Sequence, residues 1–145
     1  MPSLSVRIRR LSPDIPTPAY KTAGACGFDI AVSEGGVLAP GERRKFPTGL
    51  VVCVPEGYVL LLCPRSSNAK KGIQLANSVG VIDPDYCGPD DQLHAYLYNI
   101  GTEPYTVEKS ERVMQGLFVP VAHATFEEVE DLAAPNRGGF GTTGR

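Results

Sequence analysis

Thirteen prolines and sixteen glycines are spread along the 145 residues of this chain, and they cut its apolar runs into short pieces. The pieces are VRIRRL, FDIAV, GVLAPG, RKFPTGLVVCVPEG, YVLLLCP, QLHAYLYNIG, YTVEKS and ERVMQGLFVPVAH, rich in Val, Leu and Tyr. Proline inside a helix removes a hydrogen bond and clashes with the preceding turn, so long helices are nearly excluded and short strands ending at turns remain. Leu93, Ala95 and Leu97 alternate with His94, Tyr96 and Tyr98. Because the second set is also largely apolar, this strand is expected to be covered on both faces. The pattern predicts an all-β fold, a distorted jelly roll or β-sandwich-like barrel. One short helix is predicted: Ser66 or Ser67 caps it, Asn68 to Lys71 continue it, and Gly72 stops it.

The length suits one domain, burying roughly two-thirds of the surface its unfolded chain exposes. A β domain is expected over residues 1–130 and a flexible Gly-rich arm over 131–145, where four glycines fall between 138 and 144. That tail cannot bury enough to stay ordered alone, yet it carries Phe140, which reads as part of a lid that orders on a ligand. A net charge of −2 and a pI near 5.7 argue against long nucleic acid or an anionic membrane as the main partner. No signal or transit peptide and no transmembrane run is apparent, which predicts a cytoplasmic protein, or a nuclear one in a eukaryotic or viral setting. Cys26, Cys53, Cys63 and Cys87 form no CxxC pair, so buried free thiols are expected in place of a zinc ribbon or redox dithiol. His94 and His123 are too few and too scattered for a metal cluster.

Five segments carry the chemistry. In PRSSNAKKG, Arg65 offers a planar fork to phosphate oxygens, and Ser66 stands where unpaired helix N–H groups favour an anion. In GVIDPDYCG, Asp83 follows an apolar run on a turn made by Pro84 and Gly88, where an acid can hold a water as general base; Tyr86 offers a flat ring. The same segment also reads as an Asx turn closing a hairpin with Tyr86 in the core. In AGACGFDIAV, Asp29 is either a hydrogen-bonded structural acid or part of a magnesium outer shell. In ERVMQGLFVPV, Gln115 interrupts an apolar strand, and it either faces a ligand or satisfies neighbouring backbone. In RGGFGTTGR, Arg137, Thr142 and Thr143 among glycines suit a polyphosphate while Phe140 suits a base. The absence of GxxxxGK(S/T) excludes a P-loop.

In order and content these segments, from about Ala23 to Gly144, resemble the five motifs of the trimeric deoxyuridine triphosphate nucleotidohydrolase (dUTPase) family. The resemblance implies a homotrimer with shared active sites that hydrolyses dUTP to dUMP and pyrophosphate. Magnesium would be bound mainly through the triphosphate and water. It implies that Asp83 activates the attacking water, and that Asn77 with Gly80, Val81 and Ile82 reads uracil. Tyr86 would pack on deoxyribose. Arg65, Ser66, Ser67 and Gln115 would bind phosphates, and Asp29 would support the metal through water. Phe140 and Gly141 would cover the base, with Arg137, Thr142 and Thr143 near the γ-phosphate. The enzyme would limit uracil incorporation into DNA and supply dUMP for thymidylate synthesis.

Three features depart from the family pattern. Ser67 and Asn68 stand where Gly and Leu are usual. Cys87 stands where Arg is frequent, and the stretch from Gly88 to Asn99 is about three residues longer. Arg137 directly precedes GGFG, so Arg137 or Arg145 would serve the γ-phosphate. The related dCTP deaminases share the RSS and GVIDPDYCG-like segments, but they use a Glu on the following strand, and none lies between Gln92 and Asn99. A catalytically silent relative would have lost Asp83, Tyr86 or the glycine tail, and all are present.

Overall fold

The computed structural model describes residues 3–141. Its strands are β1 (Arg7–Arg10), β2 (Phe28–Ala31), β3 (Gly36–Leu38), β4 (Arg43–Pro47), β5 (Leu50–Cys53), β6 (Tyr58–Pro64), β7 (Ile73–Leu75), β8 (Gly80–Ile82), β9 (His94–Asn99), β10 (Tyr105–Val107) and β11 (Arg112–Pro120). The single helix among the described residues is α1 (Asn68–Lys71). The chain has an all-β jelly-roll fold. Every strand pair is antiparallel, in sheets ordered β2-β11-β6-β8, β4-β9-β7, β1-β5 and β10-β3. Every strand but β1 and β8 sends side chains into one core, which includes Phe28, Ile30, Leu38, Phe46, Leu60, Leu62, Leu97 and Met114. From the β1-β5 sheet, Leu50 and Val52 of β5 join that core.

The pairing of β2 with β11 shifts register between Arg112 and Met114, leaving Val113 as an extra residue in β11. A bulge of this kind breaks the period of two, which is why the consecutive side chains of Val113 and Met114 both point inward and are fully buried. Beyond the bulge Gln115 falls opposite Asp29. The backbone carbonyls at the bulge are taken by side chains of the PRSSN segment. Arg65 Nη1 donates to the Arg112 carbonyl at 2.9 Å, and Asn68 Nδ2 donates to the Val113 carbonyl at 2.7 Å.

Four expectations change. The helix is a single turn, ended as anticipated by Gly72 at φ 67°, but the Ser67 hydroxyl makes no capping bond. Ser67 has helical angles (φ −65°, ψ −20°), and the segment is pinned instead by Arg65 and by Asn68, which is 2% exposed. On β9, Ala95 and Leu97 are buried, but Tyr96 is exposed and Tyr98 is half-buried beneath the Arg43 guanidinium, 4.3 Å from its ring. That second face therefore meets a cation and solvent within this chain. The cysteines are free but not buried: Cys26 is exposed, and Cys53, Cys63 and Cys87 are half-buried, because each lies at a strand end or turn. Finally, Ile73–Leu75 forms β7 against β9, a pairing between a three-residue run and a strand about twenty positions away.

Candidate active site

At one end of the large sheet, β2, β11 and the end of β6 bring three of the anticipated residues together. Arg65 Nε lies 2.9 Å from Asp29 Oδ1, and Arg112 Nη1 lies 3.0 Å from Asp29 Oδ2. Asp29 is thus the central acid of a pair of guanidiniums, with its own side chain only 15% exposed. Opposite charges at this distance hold each other strongly, and Arg65 keeps a second bond to backbone, so its guanidinium has a fixed direction. Gln115 sits between Asp29 and Cys63 in the sheet, and its Nε2 donates to the Pro64 carbonyl at 3.1 Å. Its Oε1 faces Gly27, where an added Cβ would come within 2.8 Å of it. Ser66 is exposed beside this cluster, whereas the Ser67 hydroxyl and Asn68 Oδ1 are buried and have no hydrogen-bond partner among the described residues.

Arg112 escaped the sequence reading. Its signal was present, a cation inside the ERVMQG segment, but only the bulge shows that it shares Asp29 with Arg65.

A second group lies on the edge strand. Among the described residues β8 pairs only with β6, so its other side carries backbone N–H and C=O groups that no described strand takes. Gly80 is buried against Leu62, where a Cβ would meet the Leu62 Cβ at 3.0 Å, while Val81 is 61% exposed and Ile82 half-buried. Asn77 is exposed on the turn leading into β8. Asp83 follows immediately, exposed, and its carbonyl accepts the Tyr86 N–H at 3.2 Å. Tyr86 is partly exposed and not a core residue; its hydroxyl donates to the Gln92 carbonyl at 3.2 Å. The longer connection after it is braced locally, with Asp91 Oδ2 accepting the Gly88 N–H at 2.7 Å and Gln92 Oε1 accepting the Gly49 N–H at 2.8 Å.

The chain does not bring these two groups together. Ile82 opposes Leu60, whereas Arg65 lies just past Pro64. The four steps of strand from Leu60 to Pro64 span about 13 Å. Nor does the described part of the arm reach either group: Arg137 is exposed and Phe140 fully so, Phe140 and Gly141 having φ values of 51° and 84°. Thr142, Thr143 and Arg145 lie outside the described residues.

Among the described residues, no group of three or more His, Cys, Asp or Glu side chains could hold a metal ion. Asp29 has each carboxylate oxygen facing a guanidinium, leaving lone pairs for a water molecule. This donor set fits a magnesium ion carried by a triphosphate and its own waters, and does not fit one caged by protein.

Fixed cations, a strand amide and an acid on a turn, carried on a β fold, are chemistry suited to phosphorylated small molecules. The comparisons with known proteins narrow this class. The dUTPase family profile matches residues 13–144. The deoxyuridine 5'-triphosphate nucleotidohydrolase of Anaeromyxobacter sp. (strain Fw109-5) is 41% identical, covering 98% of this chain and 99% of that protein. The enzyme of the same name from Methylococcus capsulatus is 42% identical, covering 100% and 99%. Among solved structures, the Staphylococcus bacteriophage 80alpha dUTPase with dUpNHpp superposes with a TM-score of 0.87 at 25% identity, covering 99% of this chain and 100% of that one. The dUTPase from Streptococcus mutans gives 0.74 at 36% identity, covering 82% and 98%. The chain belongs to the dUTPase family. It is a dUTP diphosphatase, a hydrolase of deoxyuridine triphosphate.

Proposed function

We propose that the chain hydrolyses dUTP by attack of water on the α-phosphorus, releasing dUMP and pyrophosphate, with the Asp83 carboxylate accepting the proton of that water. The observation that carries this reading is the position of Asp83. It is exposed directly past an edge strand with free backbone groups, three residues before a tyrosine whose ring is held by its hydroxyl. The free edge of Gly80, Val81 and Ile82, with Asn77 at its entrance, suits the donor and acceptor pattern of uracil. Cytosine reverses that pattern at position 4, and the thymine methyl would crowd the strand. The Tyr86 ring is suited to lie on deoxyribose, leaving no room for a 2′-hydroxyl.

Arg65, Ser66, Ser67 and Gln115 bind the phosphates in this reading. The fixed guanidinium of Arg65 and the unpartnered Ser67 hydroxyl support it. Asp29 orients Arg65 and accepts from water in the shell of magnesium. Magnesium, when bound, supplies charge neutralisation on the triphosphate. Phosphoryl transfer needs an aligned water and neutralised charge more than covalent catalysis, and the residues present suit that division.

The separation of the phosphate cluster from the Asp83 hairpin within one chain favours sites shared between subunits, as in a homotrimer. The arm, residues 131–145, would then close over a site built by other subunits. Phe140 and Gly141 would cover the base, and Arg137, Thr142 and Thr143 would approach the γ-phosphate. Light scattering should give the mass of three chains; a monomer with full activity would overturn the shared site. The physiological roles that follow are exclusion of uracil from DNA and supply of dUMP, in the cytoplasm. No helix among the described residues is long and apolar enough to cross a membrane.

The test is hydrolysis in oxygen-18 water with dUTP, dCTP, dTTP and UTP in parallel. The label should enter dUMP, and only dUTP should turn over rapidly. Label in pyrophosphate would contradict attack at the α-phosphorus, and dUTP formed from dCTP would indicate a deaminase.

A further inference from the structure

Cys53 ends β5, and Cys87 directly follows Tyr86 on the hairpin that carries Asp83. Far apart in sequence, they line one surface cavity of about 300 Å³ together with Arg7, Arg9, Gly88 and Pro89. Both are free and half-buried, and each perturbs the titration of the other across the cavity they share. Their surroundings differ. Arg7 faces Cys53 across the β1-β5 pair, and its Nη2 donates to the Cys53 sulfur at 3.4 Å. The Cys87 thiol donates to the Pro84 carbonyl at 3.5 Å. Cys26 and Cys63 lie outside the lining of this cavity.

We propose that Cys53 and Cys87 form a peroxide-sensitive dithiol site, which closes to a disulfide and thereby strains the hairpin that bears Asp83 and Tyr86. The neighbouring Cys87 side chain, and then the Arg7 guanidinium, hold the Cys53 thiol below the ordinary thiol range, while Cys53 in turn pushes Cys87 up. An accessible, cation-flanked thiol beside a second one is the arrangement of an attacking and a resolving cysteine. The Cys53 thiolate attacks one oxygen of hydrogen peroxide: an S–O bond forms, the O–O bond breaks, and hydroxide leaves to take a solvent proton. The Cys87 sulfur then attacks the sulfenic sulfur; an S–S bond forms, the S–O bond breaks, and the oxygen leaves as water with the Cys87 proton. Two electrons pass from the two thiols to the peroxide.

Bond formation draws the two sulfurs together to about 2.05 Å. That movement pulls on the residue next to Tyr86, and misplacement of catalytic groups by about 1 Å can cost on the order of 10²-fold in rate. The effect on rate rests on the roles proposed above for Asp83 and Tyr86, whereas the bond itself does not.

The experiment treats the reduced full-length protein with hydrogen peroxide, then combines thiol counting, peptide mass mapping without reductant, and dUTP kinetics. Two of the four thiols should disappear into one Cys53–Cys87 linked peptide. The kcat/KM should fall about tenfold or more and return with dithiothreitol. Cys53→Ser and Cys87→Ser should each form no link and keep their activity through the treatment. Cys53 ending as a sulfinate without a link would overturn the dithiol site. A quantitative link with unchanged kinetics would overturn the strain on the hairpin. The link is read by mass, so a failure of the catalytic reading would not obscure it.

Discussion

The Arg65 guanidinium is locked to the Asp29 carboxylate, Nε to Oδ1 at 2.9 Å, and this pair joins the end of β6 to the middle of β2 across the intervening strand β11. It makes the direction of Arg65 a property of the sheet and not of a flexible side chain. Arg112, 3.0 Å from the other oxygen, completes the lock.

Asp29→Asn should therefore keep the fold but loosen Arg65. Hydrogen bonds to charged groups contribute roughly 1.5–3 kcal/mol, so kcat/KM for dUTP should fall about tenfold to a hundredfold, mainly through KM. Steady-state kinetics beside a thermal melt checks this, and unchanged kinetics would mean that the lock does not serve the phosphates.

Two glycines near the cluster should behave in opposite ways. A Cβ on Gly116 would sit 2.5 Å from Phe28 Cζ, inside a packed aromatic contact between Phe28 and Phe118. Gly116→Ala should cost about 1–3 kcal/mol of stability. A Cβ on Gly27 would press instead on the Gln115 amide at 2.8 Å, the end of a side chain that can move. Gly27→Ala should lower activity with little change in denaturation midpoint, and the reverse ranking would refute the assignment.

These two cases also mark what was legible in the sequence. Short apolar runs between prolines and glycines named most of the strands, and Gly72 at φ 67° stops the helix as its residue type demands. Asp29, Arg65 and Gln115 were picked out singly by residue type. Their meeting was not legible, because it depends on sheet order and on the bulge at Val113, which arise from pairing between strands distant in sequence. For the same reason β7 was missed: three residues carry too little periodicity, and β9 supplies the rest. Ser67 looked like a cap because serine often is one, but tertiary bonds from Arg65 and Asn68 to the bulge hold the segment instead.

Acid should weaken the fold partly through Glu111, which accepts from Lys71 and Tyr105 and so ties α1 to β10. Burial pushes its carboxyl up, but the bonds from Lys71, Tyr105 and the Glu108 amide outweigh burial and hold it below its ordinary value of 4.5. A group lowered in the folded state stabilises it fully above the unfolded value. That contribution is lost as pH falls below about 4.5 toward the folded value. Glu111→Gln should be less stable than the parent by roughly 1–3 kcal/mol at pH 7, and the gap should narrow by pH 3. Urea denaturation at the two pH values measures it, and a constant gap would contradict the linkage.

Phe140 is entirely exposed, so Phe140→Ala should leave the melting temperature unchanged. If the arm closes over uracil, the lost stacking of about 1–3 kcal/mol should lower kcat/KM about 5- to 150-fold. Equal activity would remove the ring from the site.

The central claim is that Asp83 takes the proton of the attacking water. Its most direct test compares the Asp83→Asn variant with the parent in two assays, affinity for dUpNHpp and the rate of dUTP hydrolysis at saturation. General-base removal typically costs about 10²–10⁴-fold, so turnover should fall by that factor while analogue affinity stays within about threefold. Turnover close to that of the parent would contradict the account.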